Sequence, residues 1–238
     1  MKYVSLPTAE AQLTFYLAME EYVAHHVLPA VGRFPPGEPA DCFFMWQVRP
    51  TVIYGRNQVV ENEVNLDYCR AHGIEVVHRK SGGGCVYADQ DNLMLSFITR
   101  EANVSLAFNR FVNMLLLVLH KMGIEAVSTA HNDVMIGDRK VCGTACYHTG
   151  RCCIVHSTML YDTNMDHMLH AITPSREKLQ KKGIESVRQR ITLLKDHTTM
   201  TLDEVKTLIR ETLCRGELLL TAEDVREIEK LEQEYLGF

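Results

Sequence analysis

The chain of 238 residues lacks the two commonest phosphate-binding signatures. No Gly-Lys-Ser/Thr follows a glycine cluster, and no glycines have the dinucleotide-fingerprint spacing, which excludes the P-loop and Rossmann routes to a nucleotide. No apolar run reaches about 18 residues, and the N-terminus shows no succession of basic, apolar and small residues. A membrane span and a secretory leader are therefore not expected, and a reducing cytoplasm is the expected setting for the eight cysteines. These include no paired C-x2-C knuckles. Cys142, Cys146, Cys152 and Cys153 follow C-x3-C-x5-C-C, which is not structural-zinc spacing. Small buried filler is the expected role for Cys42, Cys69, Cys152, Cys153 and Cys214. A formal net charge of −5 gives no general attraction for nucleic acid or an anionic membrane. Internal repeats and low-complexity tracts are also absent, so residues 1–238 are expected to form one unit.

What is present is ample core material, at 46% hydrophobic, and a run of short elements. Thr8 can cap a helix to about Leu28, in which Leu13, Tyr16, Leu17, Val23 and Val27 keep helical spacing. Residues 34–39, rich in proline, read as a surface loop. Aromatic and β-branched residues predict strands at Cys42–Gln47 and Thr51–Tyr54. A helix at Asn65–His72 stops at Gly73, a strand follows at Ile74–His78, and further strands are expected at Val86–Asp89 and Leu93–Thr99. Ser105–Met122 carries the longest helical apolar stripe and stops at Gly123. Gly137-Asp138 suits a tight hairpin between Asp133–Ile136 and Lys140–Cys142, and Cys152–Leu160 reads as another strand. From about residue 196 a helical tail is expected, with the capping box Thr201-x-x-Glu204, a stop at Gly216 and Thr221 opening a last helix. Strands in the middle and helices at the ends place the chain in the α+β class.

Between two of these strands lies Arg79-Lys80-Ser81-Gly82-Gly83-Gly84-Cys85-Val86-Tyr87-Ala88-Asp89. Three glycines let a backbone or ligand come close, and successive N–H groups in such a turn can surround an anion. A plain hairpin would use glycines in the same way, so the neighbouring motifs decide. Asn132-Asp133 comes next, then Gly137-Asp138-Arg139-Lys140-Val141-Cys142-Gly143-Thr144-Ala145, then His156-Ser157-Thr158-Met159-Leu160. In this order and spacing they resemble the lipoate-protein ligase family, with its pattern R-x-S-G-G-G-x-V-x-x-D, N-D, G-x-K-x-x-G-x-A and H-x-T-x-L. The segment Lys178 to Arg190 fits as well, and the resemblance spans roughly residues 10–235.

The resemblance implies a mixed, largely antiparallel β-sheet flanked by helices, as in the biotin/lipoate ligase catalytic domain. It implies that lipoate is joined to the α-phosphate of ATP and that the lipoyl group then passes to a carrier lysine. Nucleotide or lipoyl-AMP contacts would come from Arg79, Ser81, Gly82, Gly83, Gly84, Cys85, Val86, Tyr87, Asn132, Lys140, His156 and Thr158. Lys140 would bridge the acyl carbonyl and the phosphate. Asp133, the other catalytic candidate, could hold a metal-bound phosphate oxygen as a Mg2+ ligand, orient Lys140, or accept the incoming lysine's proton. Trp46, Val77, Gly83 and Lys140 are the expected lipoate pocket, with Val86 and Tyr87 as further walls. ATP and Mg2+ would serve as co-substrate and ion, with no tightly bound cofactor. The partners implied are the lipoyl domains of 2-oxoacid dehydrogenase E2 subunits and glycine cleavage H protein. Such carriers are typically acidic, and Lys178, Lys181, Lys182, Arg188 and Arg190 form a local basic patch suited to docking them.

Three positions depart from the pattern: Cys85 where alanine is common, Cys142 where serine is, and Ser157 where glycine is. Cys142 and Cys146 raise an alternative, acyl transfer through a cysteine thioester as in octanoyltransferases of this fold. No accessory domain is expected after Phe238, which raises a separate accessory partner, or transfer from a preformed activated acyl donor without adenylation.

Overall fold

The computed structural model describes residues 1–7, 11–30, 32–34, 40–129, 133–173 and 190–236. At its centre lies β6 (Asn92–Thr99), buried along its whole length because both faces of the strand are covered. The period of two sorts its side chains: Met94 and Ile98 join one apolar cluster, Leu93, Leu95 and Phe97 another. β10 (Cys153–Leu160) pairs antiparallel with it from end to end, Cys153 opposite Thr99 and Leu160 opposite Asn92. Beyond β10 come β9 (Arg139–His148), β8 (Asp133–Ile136) and β7 (Ala126–Ser128). On the other side of β6 lie β2 (Cys42–Trp46), β1 (Lys2–Ser5) and β11 (Glu217–Leu219), which makes eight strands among the described residues. β1 runs parallel to both neighbours, while the other pairings in this sheet are antiparallel. A second sheet of three strands has β3 (Thr51–Gly55) between β4 (Glu75–Arg79) and β5 (Val86–Ala88). The architecture is the mixed, largely antiparallel α+β one expected, divided between two sheets.

Helices cover both faces. α1 (Leu13–Tyr22) is apolar almost all round and runs into a five-residue π-helical stretch, Val23–Val27. Such a helix must be covered on two sides, and α7 (Ala222–Leu236) lies across it, tied by Tyr22 donating to Asp224 and Thr14 donating to Glu232. On the opposite face α4 (Val104–Lys121) presents Phe111, Leu115, Val118 and Leu119 to the second cluster, beside α6 (Leu202–Leu213). Asn103 caps α4 by accepting from the Leu106 amide, and Thr201 and Glu204 close the expected capping box on α6. Short helices α2 (Val60–Glu63), α3 (Leu66–Ala71) and α5 (Met165–Ala171) back the small sheet over a third cluster around Val52 and Tyr87.

The tail beyond residue 196 is not purely helical. Glu217–Leu219 forms β11 at the sheet edge, because Leu218 is buried there and β1 offers parallel partners. Neither three-residue β11 nor four-residue β1 is long enough to show a period in sequence. α1 begins at Leu13, with Gln12 at its N-cap; Thr8, proposed as the cap, lies outside the described residues. Among the described residues no helix is long and apolar enough to cross a membrane.

Candidate active site between the two sheets

The glycine turn leaves β4 at Arg79 and enters β5 at Val86. Its shape is set from inside by Arg79, which is 5% exposed. The guanidinium donates from Nε to Ser81 Oγ (3.0 Å), from Nη1 to the Ile53 carbonyl (2.9 Å), and from Nη2 to the carbonyls of Gly82 (2.9 Å) and Gly84 (2.6 Å). Burial holds its pKa down at about 10, still far above neutrality, so the buried charge persists. With two loop carbonyls drawn onto Arg79, no backbone hydrogen bond from the amides of Gly82, Gly83 or Gly84 occurs among the described residues. Gly83 has φ 95°, where a side chain would be strained, and Gly55 packs so tightly that a Cβ on it would lie 2.6 Å from the Gly83 carbonyl oxygen.

Facing the turn is the β8–β9 hairpin. A register shift between Val134 and Met135 sets Asp133 opposite Gly143 and Lys140 opposite Met135. The Lys140 side chain folds back across Gly143, where a Cβ would sit 2.5 Å from Nζ, and reaches Asp133 Oδ1 at 2.6 Å. The glycine three residues after the lysine in the motif is thus the space the lysine occupies. The other oxygen, Oδ2, takes Arg190 Nη2 at 3.0 Å. Arg190 is brought there by the main chain: Ile191 bridges Lys140 in parallel and the Thr192 amide donates to the Lys140 carbonyl.

A buried polar chain connects the turn to the large sheet. Trp46 Nε1 donates to Ser96 Oγ (2.8 Å), which donates to Glu20 Oε1 (2.6 Å). Glu20 Oε2 lies 2.9 Å from His156 Nδ1, and His156 Nε2 lies 2.7 Å from Ser81 Oγ. Every link is satisfied when His156 carries its proton on Nδ1 and Ser81 donates to Nε2 while accepting from Arg79. Glu20 is 3% exposed on a helix whose residues are apolar apart from Thr14, Glu20 and Glu21. Sequence reasoning missed it, although a carboxylate in the middle of an apolar helix is a signal, since burial of a charge requires partners.

These elements enclose a cavity of about 290 Å³. Its wall includes Arg79, Gly83, Gly84, Cys85, Val86, Trp46, Asp133, Lys140, His156 and Thr158, all named from sequence, together with Leu17, Ile53, Met94, Thr144 and Arg190, which were not placed there. Ser81 and Gly82 stand behind the wall, bonded to Arg79. Two expected walls are not part of it. Tyr87 follows Val86 on β5 and so points the other way, into the cluster under the small sheet, while Val77 packs into the core beside its β3 partner Ile53, which does line the cavity. Asn132 lies outside the described residues, as does the basic patch apart from Arg190. A larger groove of about 920 Å³ shares only Trp46 with this cavity and is lined by none of the motif residues.

Cys142 and Cys146, the two thioester candidates, are not activated as nucleophiles. Burial pushes the thiols of Cys142 and Cys146 up to about 12, against the lowered values that activation requires. Asp133 is the carboxylate at the cavity, with both oxygens on cations, and no group of three metal-ligating side chains occurs among the described residues. These residues do not form a ready-made cage for a divalent ion.

Comparison with known proteins follows the same outline. Residues 12–214 match the family model for the lipoyl protein ligase A/B catalytic domain. Lipoate–protein ligase 1 of Staphylococcus aureus (strain Mu50) is 35% identical over 225 residues, covering 92% of this chain and 66% of that protein. The chain spans half to about two thirds of the length of the curated relatives it matches. Among solved structures, a bipartite lipoate protein ligase described with its E2 lipoyl domain from Thermoplasma acidophilum is similar over 100% of this chain and 93% of that one, with TM-score 0.81 and 24% identity. A lipoate-protein ligase A bound with ATP is similar over 100% and 96%, with TM-score 0.77 and 22% identity. At these identities the structures speak for the fold.

Proposed function

Because the chain belongs to the lipoyl protein ligase A/B catalytic-domain family, we propose that it activates lipoate with ATP to lipoyl-AMP and transfers the lipoyl group to a lysine of lipoyl carrier domains. One observation carries the reading: Lys140 is held over Gly143 by Asp133, on the wall opposite the glycine turn, across a cavity with apolar sides. In the first half-reaction the lipoate carboxylate attacks the α-phosphorus and pyrophosphate leaves. In the second, the carrier lysine attacks the acyl carbonyl and AMP leaves. Both transition states gather negative charge on oxygens between carboxyl carbon and phosphorus. A compact ammonium and unpaired amides, fixed in advance, stabilise such charge without reorganising. Leu17, Trp46, Ile53, Val86 and Met94 supply apolar wall for an alkyl chain with a ring.

Mg2+ is assigned to the nucleotide that carries it in. The acceptors are assigned as lipoyl domains of 2-oxoacid dehydrogenase E2 subunits and glycine cleavage H protein. Intact-mass spectrometry of a purified lipoyl domain tests the proposal, with lipoate and Mg-ATP in one reaction and lipoyl-AMP in the other. A lipoyl increment in both reactions is expected. An increment from lipoyl-AMP alone would restrict the chain to the transfer half, and no increment in either would remove the proposal.

A further inference from the structure

Among the described residues three cations border the cavity, and they differ in how their donors are used. Arg79 is buried and gives its N–H groups to Ser81, Ile53, Gly82 and Gly84, so it shapes the turn from behind. Lys140 and Arg190 are different: their side chains are 23% and 29% exposed, and each holds one oxygen of Asp133. Arg190 reaches that carboxylate through Nη2, and no other partner for its guanidinium occurs among the described residues. Two cations around one carboxylate leave one net positive charge at the cavity wall. A phosphodiester or acyl-phosphate group carries one negative charge, and the planar guanidinium fork matches two of its oxygens.

We propose that Arg190 is a second phosphate-binding residue of this site, acting beside Lys140 on the phosphoryl group of a bound adenylate. The proposal rests on the nucleotide-dependent reading above. Asp133 then serves both cations, holding Lys140 over Gly143 and Arg190 at the rim with one oxygen each. The main-chain bridge from Ile191 to Lys140 sets the spacing between the two charges, so the second cation is built into the fold. A long, exposed-looking arginine at the end of a basic run gave no sign of this in sequence, where it was grouped with the docking patch.

Titration calorimetry on the intact chain tests the assignment, with AMP and adenosine as probes and Arg190→Gln and Arg190→Lys as variants. The wild-type protein should bind AMP more tightly than adenosine. Arg190→Gln should lose about tenfold in AMP affinity with adenosine unchanged, as expected for one charge-assisted hydrogen-bonded contact, and Arg190→Lys should recover part of the loss. The proposal is overturned if Arg190→Gln binds AMP as wild type does, if adenosine binding falls equally, or if wild type does not distinguish the two probes. Lipoyl transfer by wild type from lipoyl-AMP is scored separately. A chain that binds AMP through Arg190 yet transfers nothing keeps this assignment and loses the functional reading; transfer with AMP affinity indifferent to Arg190 does the reverse.

Discussion

The two walls of the cavity are built on opposite plans. On the small-sheet side the glycine turn is a main-chain surface, its carbonyls fastened to a buried arginine whose donors go to protein groups. On the large-sheet side the hairpin presents side-chain charge, Lys140 and Arg190 poised on Asp133 and part exposed. One wall supplies shape and the other supplies charge. The difference lies in how the donors are used: the Arg79 guanidinium staples several groups of the turn at once, whereas Lys140 and Arg190 are each held by one oxygen of Asp133.

The comparison can be broken in order of severity. Arg79→Met removes the staple and leaves the carbonyls of Ile53, Gly82 and Gly84 and the Ser81 hydroxyl short of a partner, so it should cost about 3–5 kcal/mol of stability, read by denaturant unfolding. Loss confined to activity, with stability intact, would show Arg79 to be a substrate-facing charge after all. Gly143→Val does the converse. Its side chain would enter the space of Lys140 Nζ and Cε, which is the flexible end of a side chain, so the fold should survive while lipoyl transfer falls on the order of 100-fold from a displaced lysine. Gly55→Ala presses on the backbone of the turn at Gly83, where nothing can swing aside. It should destabilise by about 1–3 kcal/mol and weaken adenylate binding together, and a change in only one of them would separate shape from stability.

A control outside both walls sharpens the contrast. Burial alone would raise the Asp224 carboxyl, but hydrogen bonds from Arg33, Tyr22 and Thr221 outweigh it and hold it well below the usual carboxylate range. A folded-state value below the unfolded one means that the stabilisation is complete above about pH 4 and is lost as pH falls below that. Asp224→Asn should therefore cost about 1–2 kcal/mol near neutral pH, with the deficit shrinking in acid and transfer unaffected. A deficit independent of pH would contradict the charge assignment.

Much of this was legible in sequence, for identifiable reasons. Glycine stops, the capping box and the Gly137-Asp138 turn act locally, so the hairpin, α4 and α6 stand where the residues put them. The motif residues Lys140, Gly143 and Gly83 converge on one cavity because their roles are steric and short-range. What failed depended on tertiary context. Tyr87 and Val77 are expected as apolar walls of a lipoate pocket, but the period of the strand turns Tyr87 away and Val77 packs into the core. β11 exists only because β1 is beside it, and Glu20 entered the site through hydrogen bonds spanning more than a hundred residues. A cysteine's sequence neighbours say nothing of its burial, which leaves the thioester alternative open in sequence; the raised thiols of buried Cys142 and half-buried Cys146 argue against it.

The most direct measurement is the rate of lipoyl transfer from preformed lipoyl-AMP to a lipoyl domain, followed by intact mass for wild type and Lys140→Ala, with melting temperature recorded alongside. The account expects steady modification by wild type, none by Lys140→Ala over the same period, and equal melting temperatures. Transfer by Lys140→Ala at the wild-type rate would contradict it.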